Sequence, residues 1–356
     1  MPTRLVLYCD GTWNGADQED DKGEPCVTNV LKMACRTKKR AEDDKFHQIV
    51  YYDQGVGTGN TFDRVTGGAF GEGLEANIHD AYRFLIANYE PGDWIYLIGF
   101  SRGAFTARSI AGMIRRCGIL RREKVRMYKK AKETYRSAID AQAPVGIEFR
   151  EKNAVEIDTP IHCIAVWDTV GALGIPLRGL RGITQRDFQF HDTKLSTAVS
   201  FAYHALAVDE HRGPFEPALW ETPPAGGQTV KQAWFAGAHS DVGGGYMEPQ
   251  LSDIALDWMM DCAAEAKLEI DPAVIEALPT DPDHRAKPHN SKNGLYTVTP
   301  GIDRVIGGTP TEYFHRSVLE KWRDDSQYRP KSLEPHSGRI ARLLAGPLDQ
   351  DIYPLA

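Results

Sequence analysis

Three residues whose types fit covalent acyl-transfer chemistry stand in the order Ser101, Asp168, His239. A serine hydroxyl is a weak nucleophile until an imidazole takes its proton. The imidazole in turn needs a carboxylate to hold its tautomer and to stabilise the imidazolium. Ser101 lies in Gly99-Phe100-Ser101-Arg102-Gly103, a G-x-S-x-G pentad. Asp168 opens Asp168-Thr169-Val170-Gly171, and His239 lies in Gly237-Ala238-His239-Ser240-Asp241, followed by Val242 and three glycines. In a chain with 33 glycines the pentad alone is weak evidence, so its surroundings decide.

Those surroundings are strand ends. Trp94–Ile98 is a short apolar, aromatic and β-branched run after the turn residues Pro91-Gly92-Asp93, which predicts a buried strand. From Gly103 to Arg116 the residues Ala104, Ala107, Ala111 and Ile114 recur at helical spacing. A serine on so sharp a strand-to-helix turn is strained and stands clear above the sheet edge. The helix N-terminus beside it favours developing negative charge. Ile161–Trp167 is a second buried run and ends at Asp168; Gln232–Ala236 is read as the last strand and leads to His239. Arg4–Cys9 is the first strand and ends at Asp10-Gly11-Thr12-Trp13-Asn14, a polar turn at the carboxyl edge where α/β proteins bind ligands. Ser, then Asp, then His is the chain order of α/β-hydrolases, whereas other triad folds use other orders. Ser101 is thus expected as nucleophile, His239 as base and Asp168 as its orienting acid. The oxyanion donors expected are the N–H groups of Arg102 and of Gly11 or Thr12. Asp10, Trp13 and Asp241 are expected beside substrate, although Asp10 and Asp241 also read as loop organisers that accept backbone N–H bonds.

Each member has a plainer reading. Asp168 could simply cap a turn. Among eleven histidines, His204, His211 and His315 are the rivals of His239, which alone follows a strand and precedes a glycine run. A metal site from Asp10, Asp168, His239 and Asp241 is conceivable but leaves the serine turn without a purpose. No metal and no cofactor are expected. Gly55-Val56-Gly57-Thr58-Gly59 lacks a following GK[ST] and reads as a loop rimming a site rather than a phosphate cradle.

The rest of the chain reads as support. Thr28 is placed to cap a helix carrying Val30, Leu31, Met33 and Ala34. His47–Asp53 reads as a strand, and Glu72–Tyr89 as a helix packing Leu74, Ile78, Ala81, Tyr82 and Leu85. Arg121–Ala143 is basic and helical in pattern; a solvated face explains it, and peripheral contact with anionic lipid is the alternative. Residues 172–229, with a helical stretch near Lys194–Ala207, read as a lid over the Ser101 pocket, with Phe188, Phe190, Phe201, Leu206 and Phe215 as lining. Leu251–Leu268 reads as a covering helix. Residues 270–356 form a weakly patterned, Pro-rich extension with a short helix near Ser317–Trp322. One α/β domain spanning 1–356, a mostly parallel sheet with helices on both faces, fits this order.

Composition narrows the class. The chain is 42% hydrophobic and 26% charged, as in globular proteins, with a formal charge of −7 that argues against nucleic acid as main partner. Cys9, Cys26, Cys35, Cys117, Cys163 and Cys262 show no C-x-x-C spacing and read as reduced thiols. No apolar run approaches the roughly 18 residues of a membrane span, and no signal-peptide architecture is seen, so a cytoplasmic location is expected.

Several stretches then resemble one family. CDGTWN (9–14), YYDQGVGTGN (51–60), LIGFSRGAFTAR (97–108), VWDTVGALG (166–174) and WFAGAHSDVGGGY (234–246) are similar to an uncharacterised α/β-hydrolase domain family that includes type VI secretion phospholipase effectors. AVDEHRGPFEPALW (207–220) resembles a further family block, and HRSV (315–318) extends the likeness. The resemblance implies an α/β-hydrolase fold, a triad at Ser101, Asp168 and His239, phospholipase activity, and secretion as an effector. Together these readings predict a serine hydrolase of carboxylic esters, with lipid or phospholipid as substrate. The alternatives are an esterase or amidase for small soluble substrates and a silent α/β-hydrolase that binds a ligand.

Overall fold

The structure is a computed structural model that describes residues 2–11, 26–40, 46–55, 67–137, 140–171, 195–292, 297 and 301–355, with the side chains of 67–72 also outside the description. The described strands form one sheet in the order β2-β1-β3-β4-β5-β6-β7-β8. They are β1 (Thr3–Cys9), β2 (His47–Asp53), β3 (Trp94–Phe100), β4 (Ile161–Trp167), β5 (Val199–Ala207), β6 (Thr229–Phe235), β7 (Glu312–His315) and β8 (Ile352–Pro354). All neighbours are parallel except β7 and β8. The mostly parallel α/β architecture is the one expected.

Side chains of a buried strand alternate between two cores. Leu5, Leu7 and Cys9 of β1 join Ile95 and Leu97 of β3 under helices α2 (Gly67–Asn88) and α3 (Arg102–Cys117). Val6 and Tyr8 join Tyr96, Ile98 and Phe100 on the other face, with α1 (Asn29–Arg36) and a helix at Gln250–Glu265. Thr28 caps α1 as expected: its hydroxyl accepts from Leu31 N at 3.2 Å and donates to Asp10 Oδ2 at 2.5 Å. The covering helix and the short helix Arg316–Asp324 also occur where the periodicity predicts them.

Three expectations need correction. Residues 199–207 are the strand β5 between β4 and β6, so the stretch read as helical belongs to the sheet. Phe201 and Leu206 accordingly lie in its cores and not over a pocket. The strand ending before His239 is not the last: β7 and β8 follow, and the C-terminal segment builds a third core around Trp234, Phe314, Val318 and Leu319. The basic stretch is helical only in part: Arg122–Met127 is a 3-10 helix and Tyr128–Arg136 is α4, and α5 (Pro144–Asn153) begins just beyond it. Lys132 and Arg136 of that stretch pair with Glu75 of α2. Residues 172–194, including Phe188 and Phe190, lie outside the described residues, as do Val56–Gly59.

Candidate active site

The strand order reverses between β1 and β3, which opens a crevice at their carboxyl ends. Asp10 and Gly11 leave β1 there, and Ser101 leaves β3. Ser101 has φ 58° and ψ −119°, a strained conformation for a residue with a side chain. The turn closes because Gly103 has no side chain: a Cβ there would lie 2.0 Å from the Cys9 carbonyl oxygen. The strand ladder continues beyond the strands. Ser101 N donates to Trp167 O at 3.0 Å and Asp168 N to Ala205 O at 2.7 Å, so neighbouring backbone fixes both residues.

The three expected residues converge. His239 opens the short helix α6 (His239–Gly243), and its Nε2 lies 2.8 Å from Ser101 Oγ. Its Nδ1–H donates to Asp168 Oδ2 at 2.6 Å, which leaves Nε2 as the proton acceptor. The imidazole is held between Phe100, with ring centroids 4.6 Å apart, and Phe215 at 4.9 Å. Among the described residues, Phe215 is thus the lining candidate of the lid reading that stands at the site.

Asp168 is fully buried and holds four donors. Besides His239, its Oδ1 accepts from Ala207 N at 3.0 Å, and Arg304 grips both oxygens, Nη1 to Oδ1 at 2.5 Å and Nη2 to Oδ2 at 2.9 Å. Burial alone would raise the carboxyl's pKa. The Arg304 charge and the bonds from His239 and Arg304 outweigh it and hold Asp168 well below the usual carboxylate range. Burial also pushes His239 below its ordinary value, against the pull of Asp168, so the imidazole is neutral near pH 7. A neutral base with an ionised acid behind it can take a proton from the serine hydroxyl.

The other expected residues divide. Arg102 opens α3, in the first turn whose N–H groups point out toward an anion-binding position. Gly11 N instead donates to Asp10 Oδ1 at 2.7 Å, so here it serves the turn, while Thr12 and Trp13 lie outside the described residues. Asp10 and Asp241 are each only 2% exposed, and their oxygens are engaged by neighbouring groups of the chain. Asp10 also accepts from Tyr52 at 2.8 Å, and Asp241 accepts from Ala238 N and His289 N, each at 2.9 Å. Both are loop organisers. They share no ligand with Asp168, and among the described residues no group of three His, Cys, Asp or Glu could hold a metal ion.

The rival histidines have other tasks. His204 accepts from Thr169 N at 3.0 Å beneath Asp168, His315 accepts from Ser317 N at 3.2 Å to cap a helix, and His211 meets the Ile302 carbonyl. Two supporting residues escape the sequence reading. Glu210, fully buried, accepts from His239 N at 3.3 Å and from Arg212 and Ser291. It lies just beyond β5, and the acidic pair Asp209-Glu210 at that strand's end is the signal that could have found it. Arg304 stands alone in a segment without periodicity, and no local signal marks it.

Comparison with known proteins agrees with the resemblance. The chain is 31% identical over 243 residues to the uncharacterized protein YEL023C of Saccharomyces cerevisiae, a match covering 62% of this chain and 33% of that protein. The chain therefore spans about a third of the length of that curated relative. Among solved structures it is similar to the Tle1 effector bound to the VgrG spike from the type 6 secretion system, at 16% identity and a TM-score of 0.48, covering 80% of this chain and 77% of that one. An uncharacterized protein from Pseudomonas aeruginosa gives a TM-score of 0.44 at 16% identity, covering 99% of this chain and 64% of that one. Residues 3–262 match the family described as the catalytic domain of the type VI secretion, Tle1-like phospholipase effectors, and the chain belongs to that family.

Proposed function

We propose that the protein is a serine hydrolase that cleaves lipid or phospholipid acyl esters through Ser101, His239 and Asp168. The observation that carries this reading is the unbroken line from Asp168 Oδ2 through the imidazole to Ser101 Oγ, at 2.6 and 2.8 Å. His239 removes the Ser101 proton as Oγ attacks the acyl carbonyl, and Asp168 stabilises the imidazolium. His239 then protonates the leaving alkoxide. Water, deprotonated by the same imidazole, releases the fatty acid from the acyl-enzyme. The Arg102 N–H supplies one oxyanion donor, and the loop after β1 supplies the other, from Thr12 or from a Gly11 N–H turned away from Asp10. Family membership supports lipid as the substrate class. We read the chain as one unit, with the segment after residue 270 completing the sheet.

Labelling with a fluorophosphonate and assay of fatty-acid release test this reading. Wild-type protein is expected to label at Ser101 and to release fatty acid from phospholipid vesicles. A folded protein that does not label is a silent fold, and activity lost to a chelator would replace the serine mechanism. Turnover confined to short soluble esters would keep the triad and remove the lipid.

A further inference from the structure

Among the described residues, the segment beyond residue 262, where the family match ends, reaches Asp168 through Arg304. Arg304 is 3% exposed as a residue, and its side chain is fully buried. Its two terminal nitrogens each bond an Asp168 oxygen and a backbone carbonyl, Nη1 to Ala207 O at 2.8 Å and Nη2 to Phe215 O at 2.7 Å. The backbone beneath it is registered against the loop after β5, with Ile302 N donating to His211 O at 2.9 Å and Gly301 bridged to Arg212. The guanidinium therefore cannot swing away from the carboxylate without losing four bonds.

We propose that Arg304 is a positioning residue: its fork fixes the Asp168 carboxylate and shares that group's charge with His239, so the C-terminal segment sets the basicity of the imidazole. The proposal rests on the relay assigned above. A buried carboxylate without a cation would lean on the imidazole for its counter-charge and keep the pair's proton. A bidentate arginine prevents this and also removes rotation about the carboxyl. The same positive charge opposes a charged imidazolium across the carboxylate. Removing it leaves Asp168 to His239 alone, and the pair then holds its proton more tightly. Of the other charged groups near His239, Arg212 lowers and Glu210 raises the imidazole's pKa, and the two are paired with each other. Ser101 is neutral; Glu210 meets the His239 backbone N–H and is neutralised by Arg212; Asp241, on the same helix, is bonded to His289.

The test follows His239 itself. Carbon-13 NMR of Cε1-labelled histidine, with the signal assigned by His239→Gln, gives the imidazole pKa whether or not the protein turns over substrate. In Arg304→Gln it is expected to rise by about 1 pH unit or more. The acid limb of kcat/KM on a soluble ester should move with it, and kcat should fall about 100-fold. Arg304→Lys keeps the charge and loses the fork, so the pKa should stay within about half a unit while kcat falls about 10-fold. A folded Arg304→Gln protein with an unmoved His239 pKa overturns the proposal. If Arg304→Gln does not fold, an Arg304→Lys protein with wild-type kcat overturns it instead. Wild-type protein without ester turnover, with the His239 shift present, would fail the hydrolase reading and leave the arginine's role standing.

Discussion

Residues 3–262 and the segment from 270 to 355 serve the same site by different means. The first region delivers Ser101, Asp168 and His239 from the carboxyl ends of β3, β4 and β6, where parallel neighbours fix the backbone on either side. The second delivers Arg304, Ser291 and His289 from irregular chain, and each bonds a carboxylate: Asp168, Glu210 and Asp241 respectively. Groups proposed to act on substrate need sub-ångström placement, which strand ends supply. Groups that fix a carboxylate need only arrive with the right charge and geometry. A loop pinned at several points is enough for that.

The widest separation between the regions is in turnover. Ser101→Ala should cut kcat about a million-fold on any ester, the scale of a lost triad nucleophile, with the thermal midpoint within a few degrees of wild type. Steady-state kinetics beside a melting curve checks it. Near-normal turnover in a folded variant would remove the reacting role from β3 and dissolve the contrast.

Two aspartates sharpen it next. Asp168→Asn presents the wrong group to Nδ1–H and should cost about ten-thousand-fold in kcat. Asp241 bonds Ala238 N and the His289 backbone and ring, so Asp241→Asn should cost much less on the same ester, about ten-fold or below. A collapse for Asp241 with Asp168 nearly untouched would reverse the assignment.

The contrast also marks what the sequence could reveal. Buried parallel strands are continuous apolar runs, so Trp94–Phe100 and Ile161–Trp167 announce themselves and their end residues with them. β5 does not: Ala202, Ala205 and Ala207 favour helix locally, and Tyr203 and His204 interrupt the run. Pairing on both sides with β4 and β6 overrides that preference. β7 and β8, at four and three residues, are too short to show any period. Arg304 is a lone arginine between turns, and what makes it matter is a carboxylate 136 residues away.

Asp10 tests whether support is confined to the second region. It is a holding group in the legible part, and burial pushes its carboxyl up to about 7 despite bonds from Thr28, Tyr52 and Gly11. A folded-state value above the unfolded one means that stability is full below about pH 4 and is lost as pH rises toward about 7, by a few kcal/mol. Asp10→Asn removes that titration. The midpoint difference, variant minus wild type, should therefore grow by a few degrees from about pH 4 to about pH 7 and then level off. A difference that stays flat across this range would mean that Asp10 is ionised throughout.

The smallest effect belongs to Ser291, and it separates holding from reacting most cleanly. Its hydroxyl donates to Glu210 Oε1 at 2.8 Å from a buried position. Glu210 keeps Arg212 through backbone N, Nε and Nη2, at 2.7, 2.9 and 2.8 Å, and it keeps the His239 N–H. Ser291→Ala thus removes one of several donors from a carboxylate that stays ionised and oriented. A hydrogen bond to a charged group contributes about 1.5–3 kcal/mol, and the remaining donors reduce the loss to about 1–2 kcal/mol. Denaturant unfolding should show that loss as a lower midpoint with an unchanged slope. Turnover should stay within about three-fold, since the imidazole keeps Asp168 and its own backbone bond. A loss in kcat beyond about 100-fold without loss of stability would place Ser291 among the reacting groups, and the division between the two regions would fail there.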